Sequence, residues 1–391
     1  MSPLANWNTE KSFNGKSDAW IEDSSGARFQ MTNTRRTETF SGERIADVRK
    51  IAVLRTNRLG DFIFILPALE ALRATYPQAE LVLLTLPWTA AFLSQRPSPV
   101  DRAIEVPPCG GVSVEPGEKT DQEQINTFLQ TMQQERFDLA CQFRGGGRFS
   151  NPFVKKLGAR VTIGSKAEDA IPLDRWIPYH VLQSEYIRYL EVVALAGAQT
   201  CSIEPHVVVT EQDRVEALHV LPKDRQPLAI LHPGAMDPGR RWPAENFARV
   251  GDALAKQNVH IVLTGTHDEQ ETVDRVQEAM HVESSNLCGR LSLGGLAALL
   301  ARSQVVISND TGPLHLAHAV GARTVGIYWC LNAITAPPLS RLRHVPLVSW
   351  QANCPVCGCD LIRDHCDHTV SLVSSVSTDE VITAAQSLLG L

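Results

Sequence analysis

Short apolar runs alternate with stretches of helical periodicity along most of the chain. The runs of the first half are IAVLR (residues 51–55), AELVLLT (79–85), FDLACQF (137–143) and RVTIG (160–164). Those of the second half are LAILHPG, VHIVLTG, SNLCGR, SQVVISND and RTVGIYW, which begin at residues 228, 259, 285, 303 and 323. Strands that alternate with helices predict parallel sheets covered on both faces. The pattern therefore predicts an α/β fold with two doubly wound, Rossmann-like domains that face a central cleft.

Changes in composition divide the chain into three parts. Residues 1–45 are polar and lack sustained periodicity, so we expect a flexible N-terminal extension without a signal peptide. Residues 46–215 form the first predicted domain and residues 216–391 the second. The segment 205–227 joins them, and its charge and prolines predict a hinge.

Composition narrows the class of partner and the compartment. The chain has 391 residues, 43% of them hydrophobic, which is enough for two ordinary cores. A formal net charge of -6 argues against nucleic acid as a partner, because no basic excess is available to neutralise phosphates. The apolar stretches are too short for a membrane span, and we therefore expect a cytoplasmic protein.

A carboxylate follows the first strand of the first half, in the stretch RTNRLGDFIFILPALEALRATYP. A helix is predicted from about Asp61 to Thr75, which places Asp61 at the carboxyl end of a strand. Asp61 is therefore a candidate proton acceptor, although a helix N-cap explains it equally well. The chain contains neither G-x-G-x-x-G nor G-x-x-x-x-G-K-[ST], which argues against a dinucleotide oxidoreductase or a P-loop enzyme.

The stretch SNDTGPLHLAHAVG, residues 308–321, links a strand to a helix in the second half. Asp310 and Thr311 lie where an N-cap is expected, and Pro313 occupies the first turn. The free backbone N–H groups of such a helix start attract anions, phosphate above all. The alternative is simply a well-capped helix.

Four stretches together resemble the bacterial heptosyltransferase family, the ADP-heptose:lipopolysaccharide transferases known as glycosyltransferase family 9. They are RTNRLGDFIFILPALEALRATYPQAELVLLT, LHPGAMDPGRRWPAENFARVGDAL, IVLTGTHDEQETVDRV and SNDTGPLHLAHAVGARTVGIYW. The resemblance covers residues 46 to 390. It implies the GT-B fold, an acceptor domain followed by a nucleotide-sugar domain, and inverting transfer that needs no catalytic metal or other cofactor.

The same resemblance implies roles for single residues. Asp61 matches the proposed general base, and Asp310, Thr311 and Gly312 match a motif that holds the donor diphosphate, with His315 one turn further on. Arg240 takes the place of a lysine that points toward the donor phosphates in many members. Arginine keeps the charge and can bind phosphate with two hydrogen bonds.

Further donor-binding candidates surround these residues. Arg241 adjoins Arg240, and Gly234 lies in the turn before them, where its missing side chain lets the backbone approach a ligand. Asp268 and Glu269 are both candidates for the acidic residue that binds the ribose hydroxyls, and an ordinary helix start explains them nearly as well. Trp242 is expected in the core.

Four cysteines lie close together in CPVCGCDLIRDHCDH, residues 354–368. Cys354, Cys357, Cys359 and Cys366 are candidate ligands of a structural zinc or iron ion, and His365 and His368 are further candidates. The alternative is a group of free or reversibly paired thiols.

The predicted function is heptose transfer from ADP-heptose to a saccharide or glycolipid acceptor, such as the lipopolysaccharide core. A peripheral contact with the inner membrane face is a further expectation. Transfer from another nucleotide sugar, a nucleotide-sugar epimerase and a non-catalytic binding protein are the alternatives.

Overall fold

The computed structural model of the protein describes residues 20–22, 28–30, 42–200, 202–221 and 227–391. The predicted flexible extension, residues 1–45, lies mostly outside these ranges. Within it, strand β1 (Trp20–Glu22) pairs antiparallel with β2 (Arg28–Gln30).

The first large sheet has six parallel strands. They are β3 (Lys50–Leu54), β4 (Glu80–Thr85), β5 (Arg102–Glu105), β6 (Leu139–Gln142), β7 (Val161–Lys166) and β8 (Arg175–Pro178). Their order is β5-β4-β3-β6-β7-β8, and every pairing is parallel. The order reverses at β3, so the carboxyl ends of β3 and β6 form the crevice at which ligands bind in such sheets.

The second large sheet repeats this topology. Its strands are β9 (Leu228–His232), β10 (His260–Leu263), β11 (Ser285–Asn286), β12 (Val305–Asn309), β13 (Thr324–Trp329) and β14 (His344–Ser349). They are ordered β11-β10-β9-β12-β13-β14, again all parallel. The predicted α/β fold with two doubly wound sheets is therefore confirmed.

Twelve α-helices cover the two sheets in the described part of the chain. The first six are α1 (Leu59–Thr75), α2 (Pro87–Leu93), α3 (Gln122–Gln134), α4 (Ser150–Lys156), α5 (Glu185–Ala194) and α6 (Glu211–Val220). The other six are α7 (Ala244–Ala255), α8 (Gln270–Ala279), α9 (Leu293–Arg302), α10 (Gly312–Ala319), α11 (Cys330–Thr335) and α12 (Thr378–Leu389).

Helix α1 joins the two sheets into one continuous core. Residues 62–69 of this helix are all buried. One side of α1 packs against α5 of the first half, and another side packs against α10 of the second half. The central apolar cluster accordingly contains Ile51 and Val53 of the first sheet together with Ile230 and Val306 of the second. Burial on all sides explains why most residues of this helix are apolar.

The segment between the sheets is more ordered than its composition indicates. Residues 211–220 form helix α6, which packs against α9, so the predicted domain boundary between residues 215 and 216 falls inside a helix. None of the helices in the described part of the chain has the length and apolar character that a bilayer crossing requires.

Candidate functional site

Asp61 lies in the first turn of α1, directly after the switch point of the first sheet. The N-cap is Arg58 rather than Asp61, and the Asp61 Oδ2 atom accepts a hydrogen bond from the Arg58 backbone N–H at 3.3 Å. Its Oδ1 atom accepts from Arg55 Nη2 at 2.8 Å. The carboxylate thus closes a capping box and is held by a second, longer side chain, while about a third of it stays accessible.

Arg55 is a buried anchor for that carboxylate. Its Nε donates to the Asp61 carbonyl oxygen at 2.9 Å, and its Nη1 donates to Tyr189 Oη at 2.5 Å and to the Phe143 carbonyl oxygen. The Arg55 side chain is only 2% exposed. A guanidinium fixed by these partners sets the direction in which Asp61 points.

A pocket of about 360 Å³ opens beside Asp61 at the carboxyl edge of the first sheet. Polar and charged groups dominate its wall. The lining residues are Thr56, Asn57, Arg58, Asp61, Leu86, Ser113, Val114, Glu115 and Arg144. A polar pocket with one accessible carboxylate suits a ligand that carries hydroxyl groups.

Asp310 lies at the end of β12, and it is buried rather than open to the cleft. Its Oδ1 atom accepts from His315 Nε2 at 3.0 Å, and its Oδ2 atom accepts from Arg240 Nη1 at 3.2 Å. Only 2% of the Asp310 side chain is exposed. Arg240 also has an ion pair with Asp237, in which Arg240 Nε and Asp237 Oδ2 are 3.6 Å apart.

The start of α10 presents free backbone groups next to Asp310. Thr311 is the N-cap, its side chain does not cap the helix, and Pro313 occupies the first turn. The N–H groups of Thr311 and Gly312 are at the position where a helix start binds anions.

The N-terminal turns of α1 and α10 cross in direct contact. A Cβ atom on Gly60 would lie 2.8 Å from His315 Cδ2, and one on Gly312 would lie 2.8 Å from Leu59 Cβ. The ring of Phe64 packs edge-on against His315, with centroids 4.7 Å apart. Glycine at both positions therefore lets the helix that carries Asp61 reach the helix start beside Asp310.

Glu269 and Gly234 meet at the carboxyl ends of β9 and β10. The Glu269 carboxylate accepts from the Thr266 backbone N–H at 2.8 Å, and it occupies the space into which a side chain on Gly234 would extend. Its Oε2 atom lies 3.9 Å from His232 Nε2. Burial lowers the pKa of His232, and the Glu269 carboxylate only partly opposes this, so the imidazole is neutral at pH 7.

Arg241 and Asp268 were also predicted to bind the nucleotide sugar, but their surroundings differ from those of Glu269 and Gly234. Arg241 Nε donates to the Ala235 carbonyl oxygen at 2.7 Å, and the Asp268 side chain is exposed. Trp242 is buried as predicted, and its Nε1 donates to the Val376 carbonyl oxygen at 3.1 Å. Of the two acidic candidates, Glu269 is the one that faces Gly234.

Four potential metal ligands gather after β14, and one of them differs from the predicted set. The ligand atoms of Cys354, Cys357, Cys366 and His368 all lie within 4.8 Å of one another. Cys359 is outside this group. Its carbonyl oxygen instead accepts from the Cys354 backbone N–H at 2.8 Å, which closes the turn and directs the Cys359 side chain elsewhere.

The pattern of the sequence did not indicate several residues of the site. Arg55 directly follows β3 and lies six residues before Asp61. This position is the one signal that could have indicated its role. Phe64 and Tyr186 appear as ordinary apolar core residues of α1 and α5. Their rings pack edge-on with centroids 5.0 Å apart, beside His315.

Two doubly wound parallel sheets of six strands each, covered by helices, are the architecture of the GT-B fold, to which many glycosyltransferases belong. The sequence model of glycosyltransferase family 9 (heptosyltransferase) matches residues 125–359. The chain belongs to this family.

Individual relatives agree with that assignment. The chain is 26% identical over 314 residues to lipopolysaccharide heptosyltransferase 2 of Salmonella typhimurium, which covers 76% of this chain and 87% of the relative. A family 9 glycosyl transferase structure from Veillonella parvula superposes with a TM-score of 0.72 at 23% identity, covering 87% of this chain and 97% of that one. The structure of E. coli ADP-heptose lps heptosyltransferase II gives a TM-score of 0.67 at 19% identity, covering 87% and 98%.

Proposed function

We propose that the protein is an inverting glycosyltransferase that transfers heptose from ADP-heptose to a saccharide acceptor of the lipopolysaccharide core or a related glycan. The observation that carries this proposal is the crossing of α1 and α10. In this crossing Leu59 and Gly60, which directly precede Asp61, contact Gly312 and His315 of α10, and this supports a site shared by the accessible carboxylate and the start of α10. The names of the relatives support the choice of sugar, and ADP-heptose appears in the name of the E. coli structure.

The proposed reaction is a single displacement. The acceptor hydroxyl attacks the anomeric carbon, its proton passes to Asp61, and the bond from that carbon to the diphosphate oxygen breaks to release ADP. One carboxylate is enough, because an inverting transfer forms no covalent intermediate with the protein. Arg55 holds Asp61 in position for this step.

The donor domain supplies positive potential for the leaving diphosphate. The backbone N–H groups of Thr311 and Gly312 would donate to phosphate oxygens, as would Arg240, whose buried Nε has no hydrogen-bond partner among the described residues. Glu269, held beside Gly234, would accept from the ribose hydroxyls. We assign that role to Glu269 rather than to the exposed Asp268, since Glu269 has the fixed position.

The test of this function follows ADP release from ADP-heptose with and without a lipopolysaccharide core acceptor. We expect release that depends on acceptor and a product with inverted anomeric configuration. Release without acceptor would indicate an epimerase or a hydrolase, and binding without release would indicate a non-catalytic protein. Other nucleotide sugars serve as the comparison for donor choice.

Replacing Arg240 with methionine should weaken donor binding. A charge-assisted hydrogen bond contributes about 1.5–3 kcal/mol, so the donor Kd should rise by roughly 10- to 150-fold. Calorimetric titration with ADP measures it. Arg241→Met is the matched control and should have a smaller effect, because Arg241 Nε already donates to Ala235. Unchanged binding in Arg240→Met would move the role to Arg241 or to neither.

We also propose that Cys354, Cys357, Cys366 and His368 hold a structural zinc or iron ion. Three thiolates and one imidazole form a known tetrahedral donor set, and bonds of about 2.3 Å to sulfur need ligand atoms about 4 Å apart. Backbone N–H groups, first that of Cys357, lower the pKa of Cys354 to about 7, which favours the thiolate that a metal requires.

The segment that follows the proposed metal site contacts the loop that contains Arg240. The Leu372 N–H donates to the Gly239 carbonyl oxygen at 2.7 Å, and Ser371 Oγ donates to the Arg241 carbonyl oxygen at 2.6 Å. These two bonds flank Arg240. A metal that orders residues 354–368 would therefore stabilise the backbone on both sides of Arg240.

Protein purified without added metal should contain nearly one zinc or iron ion per chain. Cys357→Ser should lose this metal and lower the melting temperature, while Cys359→Ser should keep it, because Cys359 lies outside the ligand group. Elemental analysis and thermal melting provide the two measurements. A metal-free wild-type preparation with full activity and stability would contradict the proposal, as would equal metal loss in both variants.

The surface of the first domain bears on two further partners, the acceptor and the membrane. Exposed apolar side chains, Phe149, Ile171, Val181 and Leu182, lie in the loops after β6, β7 and β8. They support a glycolipid acceptor and a peripheral contact with the inner membrane face. Both of these, and the cytoplasmic location, stay predictions.

A further inference from the structure

His315 lies between the two halves of the candidate site. It is 3% exposed, and its Nε2 donates to Asp310 Oδ1 at 3.0 Å. On the other side, its ring contacts Phe64 and the backbone of Gly60, both of which belong to the helix that carries Asp61. One side chain thus contacts the acceptor domain and hydrogen-bonds to a donor-domain carboxylate.

The two oxygens of Asp310 have different partners. Oδ1 faces His315, and Oδ2 faces Arg240, whose Nη1 is 3.2 Å away. His315 Nδ1 is buried and has no hydrogen-bond partner in the described part of the chain, so Nε2 is the ring nitrogen that donates a hydrogen bond to the carboxylate. The hydrogen bond from His315 to Oδ1 fixes the rotation of the Asp310 carboxylate. This rotation sets the position at which Oδ2 holds Arg240.

Phenols complete the surroundings of Asp310. Burial raises the pKa of Tyr186 and of Tyr328, and the Asp310 carboxylate raises both further, so the two side chains are neutral. Among the described residues, Arg240 forms an ion pair with Asp310 through Oδ2, and His315 hydrogen-bonds to Oδ1 and orients the carboxylate.

We propose that His315 is a positioning residue, which sets the Asp310 carboxylate and through it the Arg240 guanidinium relative to the helix that carries Asp61. The proposal rests on the proposed function, in which Arg240 binds the donor diphosphate and Asp61 takes the acceptor proton. His315 acts through Asp310 and contacts neither the proton nor the phosphate. Its replacement should change donor binding only where Arg240 is present.

His318 provides a matched comparison on the same helix. It is also buried, and its Nε2 hydrogen-bonds to Thr324 Oγ1 at 3.0 Å, away from Asp310. Its ring packs against His344 with centroids 4.2 Å apart. Substitution of either histidine perturbs the packing of α10, but only His315 is linked to Arg240.

The test compares His315→Phe and His315→Gln, each alone and combined with Arg240→Met, with His318→Phe as the control. We expect His315→Phe to weaken ADP binding about tenfold, the size expected for a hydrogen bond to a charged group. His315→Gln keeps an N–H donor and should recover most of the affinity. In the Arg240→Met background, His315→Phe should change ADP affinity by less than about twofold, because the two substitutions act on one path.

Effects that multiply independently in the double variant would overturn the proposal, and so would an equal loss of ADP affinity in His318→Phe. Thermal melting of each variant shows which losses come from unfolding, and His315→Gln keeps the test valid where His315→Phe folds poorly. ADP binding requires no transfer. A wild-type protein that binds ADP but transfers no heptose would therefore refute the proposed function and leave the role of His315 open to this measurement.

Discussion

Asp61→Asn should lower turnover by about 10²- to 10⁴-fold, the usual contribution of a general base, and leave donor affinity near that of the wild type. Asparagine keeps the shape of the side chain and can still accept from Arg55, but it cannot take the acceptor proton. In the proposed function ADP binds to the other domain, where Arg240 and the start of α10 lie. Turnover at saturating donor and acceptor, together with calorimetric titration of ADP, separates the two effects.

Asp121→Asn is the matched control for this prediction. Asp121 is the N-cap of α3 in the same half of the chain, and its carboxylate accepts from the Glu123 and Gln124 N–H groups. Asp121→Asn therefore shows the effect of losing a carboxylate at a helix start that is not part of the candidate site. If Asp61→Asn turned over at the wild-type rate, Asp61 would be a capping residue only and another group would have to take the proton.

Most of the strands that the sequence predicts are buried on both faces. The strands β4, β9 and β12 are buried almost throughout, because helices cover each side of the sheet. The edge strands β5, β8 and β14 went unpredicted, whereas the short edge strand β11 was predicted. Each of the three unpredicted strands has one neighbouring strand and is partly exposed, and β5 and β8 contain charged residues that weaken the apolar signal.

The candidate site divides along a similar line. Residues fixed by local turns, such as Asp61 and Thr311, could be placed from strand-to-helix junctions, although Asp61 occupies the third helical position and not the cap. Arg55 could not be assigned, because its role depends on Tyr189, which lies far away in sequence. The family resemblance implied that Asp310 belongs to the motif that holds the diphosphate, whereas its burial and its two partners depend on tertiary packing.

The candidate metal ligands show what the spacing of cysteines and histidines alone cannot predict. Six cysteines and histidines within residues 354–368 allow many sets of four. The choice depends on a turn that Gly358 makes at a φ of +75°, a conformation that other residues rarely adopt. This turn brings the Cys359 carbonyl to Cys354 and leaves His368 near Cys366.

The connection between the two sheets was predicted as a hinge from its charges, yet one of those charges is buried. Arg96, after α2, places Nη1 2.7 Å from Asp213 Oδ2 in helix α6 and 3.0 Å from the Val208 carbonyl oxygen. The side chains of both partners are almost fully buried. This buried ion pair thus ties the first domain to the connecting segment.

Arg96→Met should destabilise the protein by about 3–5 kcal/mol, because it leaves the Asp213 carboxylate buried without its cation. Burial opposes the ionisation of Asp213, but hydrogen bonds, first from Arg96 and then from the Thr210 backbone, outweigh it and hold the pKa of Asp213 below its ordinary value. In the wild type this contribution to stability is present above the unfolded pKa and is lost as the pH falls through the folded one. Without Arg96, Asp213 loses the first of the hydrogen bonds that lower its pKa, so the variant lacks the stability that the wild type gains as the pH rises above the unfolded pKa.

The destabilisation by Arg96→Met should therefore be larger at about pH 7 than at about pH 3, which is below the ordinary aspartate pKa of about 3.9, as measured by urea unfolding. Adding Asp213→Asn should recover much of the loss, since no buried charge then remains. Arg73→Met is the control: Arg73 pairs with Asp101 at an exposed position, where an ion pair contributes about 1 kcal/mol or less. If Arg96→Met and Arg73→Met cost the same at both pH values, Arg96 would not be a buried tie between the first domain and α6. The hinge could then lie anywhere along the connection.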